Sequence, residues 1–115
     1  MPPTSAPPAA RRVSPRAAVL GPALLAAAVY ANALANGFAL DDEFVVQHNP
    51  AVRGFGDLHA LLLGPYWPGS HVLYRPLTLL SFAVDWTLGG SPAWMHAVNV
   101  VLHALAAALV ALLLL

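Results

Sequence analysis

The residues Asn36-Gly37-Phe38-Ala39-Leu40-Asp41-Asp42-Glu43 carry an apolar run of membrane-spanning length into three consecutive carboxylates. Acidic side chains a few residues beyond a span sit at the membrane–water boundary. There they reach substrates that are themselves held in lipid. Asp41 and Asp42 are therefore expected to mark an active site on the outer face of a membrane, with the rest of the chain anchoring and shaping it.

Composition points to the same environment. The chain has 115 residues, of which 59% are hydrophobic and 9% charged, with a mean hydropathy of +0.69. An ordinary globular domain has about 25% charged residues, so this chain lacks the polar surface to cover a soluble core. Its net charge is zero and no basic run suits it to nucleic acid. Cysteine is absent, which removes disulfides and thiolate metal sites and leaves the compartment open. All five basic residues are arginine and alanine is abundant, a bias that fits a GC-rich bacterial gene.

Residues 1–16 are rich in Pro, Ala and Ser and are expected to form a disordered cytoplasmic tail. Arg11, Arg12 and Arg16 form the cluster of positive charge just before the first apolar run, so the positive-inside rule sets this end in the cytoplasm. The first span is read as 17–36, long enough for a hydrocarbon core of about 30 Å. Gly21-Pro22 is placed in its first turns, where a proline costs little. The competing reading is a cleaved signal peptide, with small residues at Ala31-Asn32-Ala33 or Ala33-Leu34-Ala35. The apolar run is longer than a usual h-region, and a second span follows. The pair Arg11-Arg12 lacks the apolar follow-up of a twin-arginine signal.

Residues 37–93 hold all five acidic residues and two arginines, so this loop is net negative and is placed outside. Glycine and proline divide it into short apolar pieces. Two short helices are expected, about 57–63 with Asp57 as N-cap and 76–88 with Pro76 at its first position. In the second, Thr78, Ser81 and Asp85 form a polar stripe opposite Leu77, Leu80, Val84 and Leu88, which predicts a helix lying in the interface. The second span is read as 94–115, with Ser91 and Pro92 at its start and Trp94 as an interfacial anchor. The sequence stops in apolar Leu112–Leu115, as expected of the amino-terminal piece of something longer.

Three groups could carry chemistry. A carboxylate of Asp41, Asp42 or Glu43 can take the proton from a hydroxyl as a bond forms; the plain alternative is a solvated acidic turn. Arg75, beside Tyr74, is placed to meet an anionic headgroup, because its planar fork matches phosphate oxygens; the alternative is an arginine snorkelling at the interface. His96, Asn99 and His103 share one face of the second span and are expected to bond between helices. A metal is not expected of the two histidines, since seven residues of helix separate them by about 10 Å. His48, His59 and His71 lack ligand spacing.

Taken in order, Asn36-Gly37-Phe38, Asp41-Asp42, His48-Asn49-Pro50, Tyr74-Arg75-Pro76-Leu77 and His96-x-x-Asn99-x-x-x-His103 resemble the start of the GT-C type, lipid-dependent glycosyltransferases. The pattern is most similar to the transmembrane and tetratricopeptide-repeat proteins related to protein O-mannosyltransferases, over about residues 25–115. The resemblance implies that an acidic pair in the first external loop includes the catalytic base, falling on Asp42 first and Asp41 second. It implies a polyprenyl-phosphate sugar as donor, with Arg75, Tyr74 and Glu43 as substrate-binding residues. A protein or glycan would be the acceptor and membrane lipid the surroundings. Lipid phosphate is already a good leaving group, so neither metal nor other cofactor is required. The family has many more spans, so 115 residues alone are not expected to catalyse.

The expectation is thus an all-α membrane protein, two transmembrane helices joined by an external loop with short interfacial helices. It belongs in a multi-pass protein of, in a bacterium, the inner membrane. The rival is a small two-span protein that works through helix–helix association, with the acidic triplet only setting topology.

Overall fold

The computed structural model describes residues 13–70 and 72–115. The readings that fall on residues 1–12, including Arg11, Arg12 and most of the tail, and on His71 lie outside the described residues. Among those described, the secondary structure is entirely helical.

Helix α1 spans Pro15–Tyr30 and continues as a 3₁₀ turn over Ala31–Ala35. It starts before the apolar run does, for a local reason. Ser14 is extended and its Oγ accepts from Ala17 N at 3.2 Å, while Pro15 takes the first helical position, where its missing N–H is no loss. Arg16 therefore sits in the first helical turn. The early start also corrects the reading of Pro22, which lies inside the helix rather than in its first turns. Its ring removes the usual bond to the Ala18 carbonyl, a defect tolerated in apolar spans when neighbouring groups adapt.

Helix α4, Pro92–Leu113, repeats the same start: Ser91 Oγ accepts from Trp94 N at 3.2 Å and Pro92 follows. The two long helices are each long and apolar enough to cross a membrane. They pack antiparallel. Val19 and Leu20 lie beside Leu112 and Leu115, Pro22 faces Ala106, Ala107 and Val110, and Tyr30 faces His103. Outward from this seam, Leu24, Leu25, Leu105 and Leu109 are exposed, the arrangement suited to lipid.

The buried core lies elsewhere, in the loop. Val45, Val52, Leu61, Tyr66, Leu79 and Ala83 form it, with Trp67, Leu80, Phe82 and Trp86 packed against it. The short α2, Leu58–Leu63, enters on its N-cap Asp57, whose carboxylate accepts from Ala60 N at 2.9 Å. Helix α3, Pro76–Leu88, closes the core with Leu79 and Ala83.

The faces of α3 differ from the expected pattern. Apolar residues occupy two opposite sides: Leu79 and Ala83 are buried, whereas Leu77, Val84 and Leu88 remain exposed. A helix apolar on both sides is suited to lie between protein and lipid. The expected polar stripe is split, because Ser81 is exposed while Asp85 is buried. Asp85 turns toward α4, where its Oδ1 accepts from Trp94 Nε1 at 3.1 Å. Burial raises the Asp85 pKa and the Trp94 bond opposes it. The α3–α4 corner turns at Gly90, whose φ of +63° is in the left-handed region and whose N–H returns to the Asp85 carbonyl at 3.0 Å.

Candidate functional site

The acidic triplet sits on a distorted turn at the end of the first span. Leu40 has φ +54°, the one positive value at a non-glycine among the described residues. This left-handed residue costs about 1–2 kcal/mol and lies just before the acidic turn, four residues past the extended Asn36 that ends the 3₁₀ turn. The backbone then forms a single π turn, Glu43–Gln47. The Asp41 carbonyl accepts from Phe44 N at 3.0 Å and Val45 N at 2.9 Å. His48 closes the turn from the other end: its N–H at 2.8 Å and its Nδ1 at 2.7 Å both meet the Glu43 carbonyl. The Nδ1–H tautomer is the one that donates there.

Backbone bonds thus hold the turn and leave the acidic side chains to other uses. Asp42 is half-buried and makes no side-chain capping bond, while Asp41 and Glu43 are exposed. The same turn drives Val45 and Val46 inward, where both are buried. Asn49 follows, buried, with Oδ1 accepting from Ala51 N at 3.0 Å and starting the 3₁₀ turn Pro50–Val52. The motif His48-Asn49-Pro50 is in this way the frame of the acidic turn.

Arg75 reaches the same region from another part of the loop. Trp67-Pro68-Gly69-Ser70 is a type II turn: Pro68 takes its second position, Gly69 has φ +81°, and Ser70 N bonds the Trp67 carbonyl at 3.1 Å. The chain returns so that Tyr66 N bonds the Leu73 carbonyl at 2.8 Å. Two residues later the Arg75 guanidinium lies over the Tyr66 ring, with Cζ 4.9 Å from its centroid. Burial raises the Tyr66 pKa, and the charges of Asp41 and, less, Asp42 add to the rise. Arg75 opposes them by its charge and by hydrogen bonding. Arg75 therefore stands over one buried phenol, whose pKa Asp41 and Asp42 push in the opposite direction. Sequence reasoning passed over Tyr66; the signal was an aromatic pair set between Gly64-Pro65 and Pro68-Gly69.

The other candidates fall in different places. Tyr74 turns away from Arg75 and its hydroxyl donates to the Leu62 carbonyl at 2.7 Å, pinning α2. Arg53 is engaged beneath the loop, bonded to the Gln47 carbonyl and stacked on Trp86 with Cζ 4.0 Å from the ring. His96 Nε2 lies 3.3 Å from the Gly37 carbonyl and His103 meets the Tyr30 ring edge-on at 4.8 Å. These two, with Asn99, line a cleft of about 290 Å³ between α1 and α4. Among the described residues, no three His, Asp or Glu side chains converge to hold a metal ion.

The chain is similar to several protein O-mannosyl-transferases. It is 39% identical over 101 residues to Tmtc1 of Drosophila melanogaster, a match covering 82% of this chain and 12% of the relative. It is 36% identical over 94 residues to Tmtc2 of the same fly, covering 75% and 10%. It is 39% identical over 94 residues to TMTC1 of Mus musculus, covering 72% and 10%. The chain thus spans about a tenth of the length of the curated relatives it matches. No family model matches it, and neither does any solved structure.

Proposed function

We propose, from the premise that this chain belongs with the Tmtc-type protein O-mannosyl-transferases over the part they share, that it supplies the acidic loop of a membrane glycosyltransferase. The donor is a sugar on a polyprenyl phosphate, and the acceptor is a hydroxyl of a protein or glycan. The reaction takes place on the non-cytoplasmic face, which in a bacterium is the outer side of the inner membrane. The acceptor oxygen bonds to the anomeric carbon as the bond from that carbon to the phosphate oxygen breaks. The bonding pair leaves with the lipid phosphate, and the hydroxyl proton passes to the Asp42 carboxylate. Arg75 meets the phosphate through its N–H fork. Glu43 flanks the site, whose metal-free chemistry rests on phosphate as leaving group.

The observation that supports this reading is a half-buried Asp42 with no capping bond just past an apolar helix, in the same loop as an Arg75 held over the buried Tyr66 ring. Between the carboxylates, Asp42 has priority because it is half-buried and uncommitted, whereas Asp41 is exposed.

The test is made in the natural membrane protein that contains this segment, with polyprenyl-phosphate mannose as donor. Asp42→Asn keeps shape but not basicity, so turnover should fall roughly 10²–10⁴-fold. Arg75→Ala should raise the Michaelis constant for the donor more than it lowers turnover. Asp41→Asn is the control. Near wild-type turnover in both Asp variants would leave the triplet a topological marker and remove the proposal.

A further inference from the structure

Tyr66 has no part in the reaction just described, yet its surroundings are unusual for a core residue. It is 8% exposed, in a core otherwise made of Val, Leu and Ala. Its ring contributes to that core and packs edge-on against Trp67 at 5.8 Å between centroids. A phenylalanine would fill the same space. The ring face also carries the Arg75 guanidinium, with Cζ 4.9 Å from its centroid. The backbone also fixes this tyrosine relative to Arg75: the type II turn at Pro68-Gly69 and the Tyr66 N to Leu73 O bond leave only Tyr74 between the paired residue and Arg75.

Arg75 needs such support. It occupies the N-cap position of α3 in a non-helical conformation, with φ −140° and ψ 65°, and its side chain makes no capping bond. A long exposed side chain at a helix entrance has little to restrain it, and ordering it on ligand binding costs affinity. A guanidinium held over an aromatic face is already ordered. The stack is worth about 0.5–1 kcal/mol at an exposed position, or roughly a two- to fivefold bias toward the stacked arrangement.

From this geometry we infer that Tyr66 is the positioning residue for Arg75: its ring carries the guanidinium and so pre-orders Arg75 for a phosphate monoester or diester. The inference rests on the reading of Arg75 as the phosphate contact, but the placement of the side chain is measurable without it.

The experiment uses the 115-residue chain in phosphatidylcholine vesicles, with and without undecaprenyl phosphate. Phenylglyoxal modifies arginine, and peptide mass spectrometry separates Arg75 from Arg53. Stacking favours the charged, protected guanidinium. Tyr66→Leu should therefore speed Arg75 modification about two- to fivefold, with the rate nearly unchanged in Tyr66→Phe, which keeps the ring. Arg53, held by Gln47 and Trp86, reports on the fold and should keep its rate. Undecaprenyl phosphate should protect Arg75 in the wild type, and a two- to fivefold higher concentration should be needed in Tyr66→Leu.

An unchanged Arg75 rate in Tyr66→Leu overturns the positioning role. Faster modification with no protection by the lipid in either protein supports the positioning role and removes phosphate from the reading of Arg75. Equal protection in wild type and Tyr66→Leu keeps the phosphate reading and overturns the pre-ordering. If Arg53 also speeds up in Tyr66→Leu, the loop has opened and Tyr66→Phe decides: the ring remains there, so Arg75 should keep its rate, and a roughly two- to fivefold rise with Arg53 unchanged overturns the inference.

Discussion

Gly90 is the residue on which the junction of loop and second span turns, and replacing it by alanine tests the corner directly. Two independent costs follow from the structure. At φ +63° an L-residue is left-handed, worth about 1–2 kcal/mol. A Cβ there would also lie 2.5 Å from Trp86 Cε3 and 2.8 Å from Cζ3, so the indole has to move. The indole is not free to do so without loss. One side packs on the loop core and the Arg53 guanidinium stacks on it at 4.0 Å, a contact worth roughly 0.5–1 kcal/mol.

Gly90→Ala should therefore cost about 1.5–3 kcal/mol, or roughly 13- to 160-fold in the equilibrium for opening the corner. Amide hydrogen exchange in lipid nanodiscs reads this where the rate tracks the opening equilibrium. The last turn of α3 and the Gly90 N–H bonded to Asp85 should exchange faster by that factor. Gly89→Ala is the matched control. Its added Cβ would meet Trp94 Cγ at 3.2 Å, a contact relieved by a shift of tenths of an ångström, and its φ of −165° lies outside the left-handed region. Equal effects at the two glycines, or less than a threefold change in Gly90→Ala, would refute the strain reasoning.

Three other outcomes are expected. Because burial raises the Asp85 pKa, its protonated form is the one folding favours. The loop should be most stable below the ordinary carboxylate value of 3.8 and lose stability as pH rises through the raised folded value. Asp85→Asn keeps an acceptor for Trp94 Nε1, so urea titrations of that variant at several pH values should lose most of the slope; an unchanged slope would acquit Asp85. Tyr74→Phe deletes the bond to the Leu62 carbonyl and should destabilise α2 by about 1 kcal/mol, seen as roughly fivefold faster exchange in Leu58–Leu63; a change in Arg75 modification instead would contradict the separation of the two side chains. Single cysteines replacing Ser5 and Ser70 should differ toward an impermeant thiol reagent in intact cells, position 70 alone reacting; equal labelling would sink the topology.

The helices were legible because their determinants are local. A Ser-Pro or Arg-Pro start, an Asp N-cap and a long apolar run are each read within a few residues of where they act. Pro22 was misplaced because the start of α1 was set by hydropathy rather than by Ser14-Pro15, which moves the helix back past the apolar boundary. The face of α3 was misread for a different reason: periodicity finds a polar stripe but does not tell which of two apolar sides meets protein. Asp85 illustrates the consequence, since its partner Trp94 lies beyond a glycine turn whose geometry brings the indole back. For Tyr66 the aromatic pair between two Gly/Pro turns was a local mark, but its role was not local: it comes from Arg75, which the Pro68-Gly69 turn brings onto its ring.

What joins the acidic turn to the rest is the direction in which successive side chains leave it. The left-handed Leu40 and the π turn together send Val45 and Val46 into the core. Fully burying a valine contributes about 1.5–3 kcal/mol, so the two offset the 1–2 kcal/mol of a left-handed leucine. The same backbone path is bonded through the Asp41 carbonyl and needs neither carboxylate for its own bonds. An ordinary helical start at this position would have drawn an acidic side chain into capping, as Asp57 is drawn at α2. Packing thus sustains the strain, and the strained turn leaves the Asp42 carboxylate without a capping bond.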